Sequence, residues 1–388
     1  MGHRLLHWGP IVALTIIIVL YLFSLLTVFV WFPPDNAVGI FNLILLCVWL
    51  YLILKNFLKA AFLGPGHLPY QWKPENAEDV EFLQYCKPCQ GYKAPRAHHC
   101  KKCKSCIMKM DHHCPWINNC VGHYNHKSFT LFLFFVVLGC FHAAMMMLFC
   151  VIDHLIWIRG RLLLEVNPSA NIPMSHFIMF CLFFGIGLSL GVTIAVAILL
   201  FYQARNIFRN ETGIESWIVE KATARNRYDG EVFVYPYDLG LTENISQVLT
   251  WSHDYVGDGI TWPVFEGCGK YDLTVEQLEQ KDIKRDRTII YKVIKPYTGT
   301  WFPLKFGFRV FCDIPCSDEV RVPIEVGNVF HATRFKKYWV YGEKQEDFQK
   351  TKNKTFTLGQ EHRLKGWIPR CCVEELVEDG ITLIKKTS

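Results

Sequence analysis

The chain has 388 residues, is 51% hydrophobic and 15% aromatic, and carries a formal charge of +6. A charge that small, with no basic helix and no aromatic platform motif, excludes nucleic acid as a partner and fits contact with headgroups or an anionic cofactor instead. The apolar content alone suits a soluble enzyme as well, so its distribution along the chain has to decide.

Residues 11–32, "IVALTIIIVLYLFSLLTVFVWF", and 37–54, "AVGIFNLILLCVWLYLIL", contain no charge. Each is close to the roughly 20 apolar residues that cross a bilayer as a helix. The first lacks a small-residue cleavage site and is read as a retained anchor after a short N-terminus, 1–10. Gly2 is followed by Leu6 where a myristoylation signal needs Ser or Thr, so that modification is not expected.

The segment 55–128 follows, and it is rich in metal-binding residue types. Within 86–120 lie Cys86, Cys89, Cys100, Cys103, Cys106, Cys114 and Cys120, together with His98, His99, His112 and His113. The stretches "CKPC" and "HHCKKCKSC" have the spacing that lets two thiolates reach one tetrahedral zinc. Two four-ligand sites consume eight of these eleven side chains. If six Cys and two His ligate, one Cys is left beside an Asp and a His, which is the composition of an activated thiol. The four side chains of "DHHC" cannot converge from a regular helix or strand, so an irregular loop braced by metal is expected there.

Two more uncharged runs, 129–152 and 177–202, complete a set of four spans, with a connector at 153–176 between them. Lys and Arg number eleven in 55–128, none in 33–36 and two in 153–176. By the positive-inside rule, both termini and the 55–128 segment face the cytosol and the short connectors face the lumen. Sixteen cysteines in a chain with so little lumenal mass do not make a disulfide framework.

The segment 85–129, "YCKPCQGYKAPRAHHCKKCKSCIMKMDHHCPWINNCVGHYNHKSF", resembles the DHHC cysteine-rich domain of integral-membrane protein S-acyltransferases, the palmitoyltransferases. Four spans with this domain between the second and third are also that family's architecture. The resemblance implies one structural zinc on Cys86, Cys89, His99 and Cys106, a second on Cys100, Cys103, His113 and Cys120, and a catalytic group of Asp111, His112 and Cys114. His98 is left as a hydrogen-bonding residue.

It implies palmitoyl-CoA as acyl donor, an acyl chain lying between the spans, and protein substrates with membrane-proximal cysteines. Lys93, Arg96 and Lys109 are candidates for the CoA phosphates, with a headgroup-facing or solvated role as the alternative. Three further stretches resemble family motifs with departures: "GPG" at 64–66, "TGIE" at 212–215 with Gly213 for a threonine, and Asn244 in "YPYDLGLTENISQVL". They are expected to brace the cytosolic domain against the membrane.

After a cytosolic region at 203–309, alternating segments at 320–326, 329–335 and 338–343 read as short strands. With "GWIPRCCVEEL" (366–376) they resemble the end of an SH3 domain, and a small β-barrel is expected at 310–377. Trp339 and Pro369 are its candidate ligand contacts, and an accessory protein is a possible partner. In this family such a tail points to the endoplasmic-reticulum subgroup. The tail 378–388 ends "KKTS", and Lys385 and Lys386 have the spacing of a cytosolic dilysine retrieval signal.

The expected whole is a four-span α-helical membrane protein with a zinc-stabilised cytosolic Cys-rich domain and a C-terminal SH3-like β-barrel. The rival readings are a non-enzymatic zinc scaffold recruiting partners through its tail, in which every usable Cys and His binds metal, and a membrane-bound RING-type ligase. The ligase would need a longer central spacing between its metal sites and would leave the Asp-His-Cys group without a role.

Overall fold

The computed structural model describes residues 4–164, 176–229, 232–251, 253–317, 319–345 and 365–376. They fall into two compact units, Met1–Gln277 and Leu278–Ser388. The dilysine pair, at 385 and 386, and much of the expected lumenal connector lie outside the described residues.

In the first unit the apolar runs are four long helices: α1 (Trp8–Trp31), α2 (Ala37–Phe62), α3 (His126–Leu164) and α4 (His176–Phe208). All four are long and apolar enough to cross a membrane, and the chain is a multi-pass membrane protein. Pro33 and Pro34 break the first hairpin of helices, and Asn36 caps α2 by accepting the Gly39 N–H at 2.9 Å. α3 packs on α4 and α2, and α1 touches the other three. The outward faces keep large apolar residues exposed, among them Phe41, Ile44, Phe180 and Phe201, as lipid-facing helices do.

α2 runs to Phe62, past the residue 54 at which the uncharged run stops. Hydropathy marks the part that can sit in hydrocarbon. Lys55 and Lys59 are good helix formers and carry the same helix beyond it.

Between α2 and α3 stand three short antiparallel hairpins. β1 (Tyr85–Cys86) pairs with β2 (Gly91–Tyr92), β3 (His98–Cys100) with β4 (Ser105–Ile107), and β5 (His112–Cys114) with β6 (Asn119–Val121). Their turns close on residues with left-handed backbone, Gln90, Lys104 and Asn118. These hairpins repeat with a 14-residue period, Cys86, Cys100 and Cys114 each ending the first strand of one. The expected irregular loop at "DHHC" is therefore a regular strand. α5 (Gly213–Asp229), α6 (Leu241–Ser246) and the start of α7 (Asp272–Asp286) complete the unit.

The second unit holds β7 (Ile289–Val293), α8 (Phe308–Cys312), β8 (Val329–Phe335), β9 (Trp339–Gln345), β10 (Lys365–Pro369) and β11 (Val373–Glu375). The sheet order is β10-β9-β8-β7-β11 and every pairing is antiparallel. Its first strand precedes residue 310, where the small domain was expected to begin.

The expected closed barrel is not formed. The sheet curls until its edge strands β10 and β11 are joined by a single 3-10 turn, Arg370–Cys372, yet no ladder links them. Pro369 has no N–H to donate at that corner. The expected strand at 320–326 is reduced to isolated bridges at Arg321 and Ile324, and Pro323 between them explains why.

The core of this unit includes Tyr291, Val293, Phe330, Trp339, Val340, Ile368 and Cys372. Trp339 and Pro369, expected to contact a ligand, are both buried. The indole N–H of Trp339 donates to the Val310 carbonyl at 3.1 Å, so α8 covers it.

Trp339→Ala should cost the second unit about 3–5 kcal/mol. Limited proteolysis of the full chain in detergent checks this: the segment after Gln277 should be cleaved faster while Met1–Gln277 persists, and an unchanged pattern would contradict the packing.

Candidate active site

A side chain on a strand points away from its neighbours on either side. In β3 this separates His99 from Cys100. His99 faces Cys106 across the hairpin and gathers with Cys86 and Cys89, whereas Cys100 gathers with Cys103, His113 and Cys120. The two sets match those implied by the family resemblance.

In the first set, His99 Nδ1 lies 3.5, 3.3 and 3.9 Å from the sulfurs of Cys86, Cys89 and Cys106. In the second, His113 Nδ1 lies 3.6, 3.5 and 3.5 Å from those of Cys100, Cys103 and Cys120. Bond lengths of about 2.3 Å to sulfur and 2.0 Å to nitrogen at tetrahedral angles give S···N edges of about 3.6 Å, so both sets fit zinc. None of the sixteen cysteines is in a disulfide.

The same alternation operates in β5. His113 faces Cys120 and the second set, which turns His112 and Cys114 together to the opposite face. Asp111, just before the strand, is buried and accepts a hydrogen bond from His112 Nδ1 at 2.7 Å. With Nδ1 so engaged, Nε2 is the nitrogen free to exchange a proton.

Burial acts to lower the His112 pKa, but the hydrogen bonds to Asp111 and Cys114 outweigh it and raise it to about 10. Burial also works to raise the Asp111 carboxyl, and the His112 bond overcomes this to hold it below the usual carboxylate range. Cys114 is buried in an apolar cluster with Phe57 and Ala60 of α2 and Phe129 and Leu133 of α3. The arrangement thus sets a thiol between the His112 imidazole on one side and membrane-helix ends on the other.

Three contacts fix this hairpin in place. Asn119, paired with Cys114 across the strands, donates its amide to the carbonyls of Ala60, Ala61 and Leu63, the unsatisfied end of α2. Gly9 of α1 lies against the turn after Cys114. A Cβ there would come within 2.0 Å of the Pro115 oxygen, so a larger residue would push the helix away. The Gly213 N–H donates to the second oxygen of Asp111.

Gly213 sits in the "TGIE" stretch, which is a capping box for α5. The Thr212 hydroxyl accepts the Glu215 N–H at 3.2 Å, and Glu215 accepts the Thr212 N–H at 2.8 Å. The backbone amide of Gly213 makes the contact to Asp111, which is why the missing threonine side chain does not remove it. In "GPG", backbone again does the bracing, the Gly66 carbonyl accepting from the Met108 N–H at 2.8 Å. Asn244 is fully buried and donates to the last carbonyl of α4, Phe208, at 2.8 Å.

Arg96 and Lys109, candidates for the CoA phosphates, are engaged inside the protein. Both are buried, and Arg96 donates through Nε and Nη2 to the two Glu215 oxygens at 2.7 Å each. The Arg96 guanidinium also stacks on Tyr237 and Trp262, and Lys109 donates to Asn210 Oδ1 at 3.0 Å. Burial would raise the Glu215 carboxyl, but Arg96 holds it below its ordinary value. Lys93, half-buried, donates to Gln84 at 2.8 Å. Loop position made these three look solvent-facing, whereas a domain this small uses its cations internally. Sequence reasoning missed Glu215 as the partner of Arg96 and Asn119 as the helix clamp. The T-x-x-E spacing was a readable sign of the first, and nothing in the sequence marked the second.

A family model described as DHHC palmitoyltransferase matches residues 79–220. The chain is 46% identical to palmitoyltransferase ZDHHC6 of Danio rerio, across 97% of this chain and 93% of that one. It is 45% identical to palmitoyltransferase ZDHHC6 of Homo sapiens, across 98% and 93%. The probable protein S-acyltransferase 16 of Arabidopsis thaliana is 29% identical across 65% of this chain and 91% of its own length.

Glu215→Ala should cost about 3–5 kcal/mol, because it strands the Arg96 charge in the interior. The double variant with Arg96→Leu should recover part of the loss. Thermal unfolding of the detergent-solubilised chain measures both, and additive losses would contradict the pairing.

Proposed function

This chain belongs to the DHHC palmitoyltransferase family and is a protein S-palmitoyltransferase, and on that premise we propose that Cys114 is the nucleophile, with His112 as its base and Asp111 as the residue that orients the base. The observation that carries the reading is the strand alternation at β5, which turns His112 and Cys114 to one face and leaves His113 on the other. It separates one histidine for metal from its neighbour for catalysis.

In the first half-reaction His112 Nε2 takes the thiol proton and Cys114 Sγ attacks the thioester carbonyl of palmitoyl-CoA. A bond forms from Cys114 sulfur to the acyl carbon, the bond to the CoA sulfur breaks, and the proton returns to the departing CoA thiolate. In the second, the cysteine of a membrane-proximal protein substrate gives its proton to His112 and its sulfur attacks the acyl carbon; the bond to Cys114 Sγ breaks, and the proton passes from His112 to the departing Cys114 thiolate. Thioester replaces thioester, so the exchange is nearly balanced and needs no nucleotide. Asp111 keeps the imidazole in the tautomer that presents Nε2 throughout. The cluster of Phe57, Ala60, Phe129 and Leu133 around Cys114 supports an acyl chain that runs from the thiol in among the spans.

The two tetrads would each hold a structural zinc, one on Cys86, Cys89, His99 and Cys106 and the other on Cys100, Cys103, His113 and Cys120. Zinc there would supply rigidity to the hairpins. Eight ligands in two sets leave Asp111, His112 and Cys114 outside both, which speaks against a scaffold in which every Cys and His binds metal.

The protein is proposed to reside in the endoplasmic-reticulum membrane with both termini in the cytosol. The concentration of Lys and Arg in 55–128 and the dilysine at 385 and 386 support this placement.

Purified protein incubated with labelled palmitoyl-CoA should carry hydroxylamine-sensitive label on Cys114, and about two zinc ions per chain. Cys114→Ser should lose the label and keep the metal. His112→Ala should also keep the metal but load slowly, by about 100-fold or more, whereas His113→Ala should lose metal and fold. Unaltered transfer by Cys114→Ser would remove the assignment, and equal metal loss in the two histidine variants would remove the split between them.

Replacing Lys385 and Lys386 by Ser should leave acyl loading intact and release an N-terminally tagged protein to the Golgi or cell surface. A reticular pattern that does not change would show that retention lies elsewhere in the chain.

A further inference from the structure

The C-terminal unit leaves a contiguous apolar stretch outside its core. Trp301, Phe302, Leu304 and Phe308 are 58, 72, 59 and 73% exposed although they fall within eight residues. The core of the unit is complete without them. Large exposed patches of this kind mark a surface that meets something apolar.

The patch is held in shape from behind. The Arg321 guanidinium lies 3.7 Å from the centre of the Trp301 ring, and Phe302 and Phe308 each lean on Phe311, with ring centres 6.4 and 6.5 Å apart. Between the aromatic residues stand Lys305 and Arg309, and no acidic residue occurs in 301–309.

A proline-rich peptide is poorly served here. The residues that would form its aromatic platform, Trp339 and Pro369, lie buried, with the Val310 carbonyl on the Trp339 indole. The patch lies on the covering segment itself.

Aromatic and aliphatic side chains alternating with basic ones suit the boundary between headgroups and acyl chains. The unit is also continuous with a chain that crosses a membrane four times, so its encounter with lipid is intramolecular and even a small patch is enough.

We infer that residues 301–309 form a lipid-inserting wedge. Trp301, Phe302, Leu304 and Phe308 enter the headgroup–acyl boundary of the bilayer that α1–α4 cross, while Lys305 and Arg309 lie on anionic headgroups. The C-terminal unit is thereby docked on the membrane by its own side chains.

The test uses full-length protein, shown to load acyl label, with p-benzoylphenylalanine in place of Phe302 and reconstituted in phosphatidylcholine liposomes with or without phosphatidylserine. Phe302 is largely exposed and the replacement keeps an aromatic ring there, so the contact with Phe311 is retained. On irradiation, mass spectrometry of the peptide bearing position 302 should find phospholipid adducts, more abundant with phosphatidylserine present. Lys305→Glu with Arg309→Glu should lower their yield roughly threefold or more in the anionic liposomes. Adducts to another copy of the chain instead of lipid would reassign the patch to self-association and overturn the proposal, as would the absence of any lipid adduct.

Discussion

Neighbouring side chains on a strand point to opposite sides, and the candidate site depends on that one geometric constraint. Across His112, His113 and Cys114 it sends the middle residue to a metal tetrad and the outer two to a common face. At His99 and Cys100 it divides adjacent residues between the two tetrads and so interlocks them. Hairpins of two or three residues per strand cannot build a hydrophobic core of their own. Metal ligation by the two tetrads would be the available substitute, and it would fix the ligand-bearing face of β5, from which the orientation of the other face follows.

The rest of unit 1 steadies that face from two directions. On one side Glu215 caps α5, receives the Arg96 guanidinium and accepts from Tyr235 at 2.9 Å. Its helix presents the Gly213 amide to Asp111 at the same time. A buried ion pair gives little net stability relative to apolar packing. Its value here is positional, since neither charge has another place to go once both are dehydrated. On the other side Asn119 satisfies carbonyls at the end of α2, so the depth of β5 and β6 is tied to a membrane helix through rigid backbone.

Features set by composition over a long window were legible in the sequence. The four spans followed from uncharged runs, and the two tetrads from Cys and His spacing together with the family resemblance. Features set by pairing were not. "DHHC" looked like an irregular loop because all four side chains were assumed to converge, whereas a strand that splits them meets the same demand with ordinary backbone. Arg96 and Lys109 looked solvent-facing because their partners, Glu215 and Asn210, lie more than a hundred residues along the chain. In the C-terminal unit the alternating strands at 329–335 and 339–345 were visible as such. The covering of Trp339 by α8 was not, since a five-residue helix leaves no periodic trace.

The 14-residue period bears on the setting of Cys114, the proposed nucleophile. In each of the first two hairpins the first strand ends in a cysteine and a second follows three residues on: Cys86 with Cys89, then Cys100 with Cys103. In the third the first strand ends in Cys114, but the place three residues on holds Ile117, which is fully buried. The third hairpin still sends His113 and Cys120 to the second tetrad, but without a thiol at 117 its first cysteine stands outside both sets. Losing the companion thiol also shields what remains. With isoleucine in the turn, Cys114 has no neighbour there with which to oxidise and no second sulfur to help it trap a stray ion. A sulfur proposed to be free at every turnover is thus protected by what the third hairpin lacks.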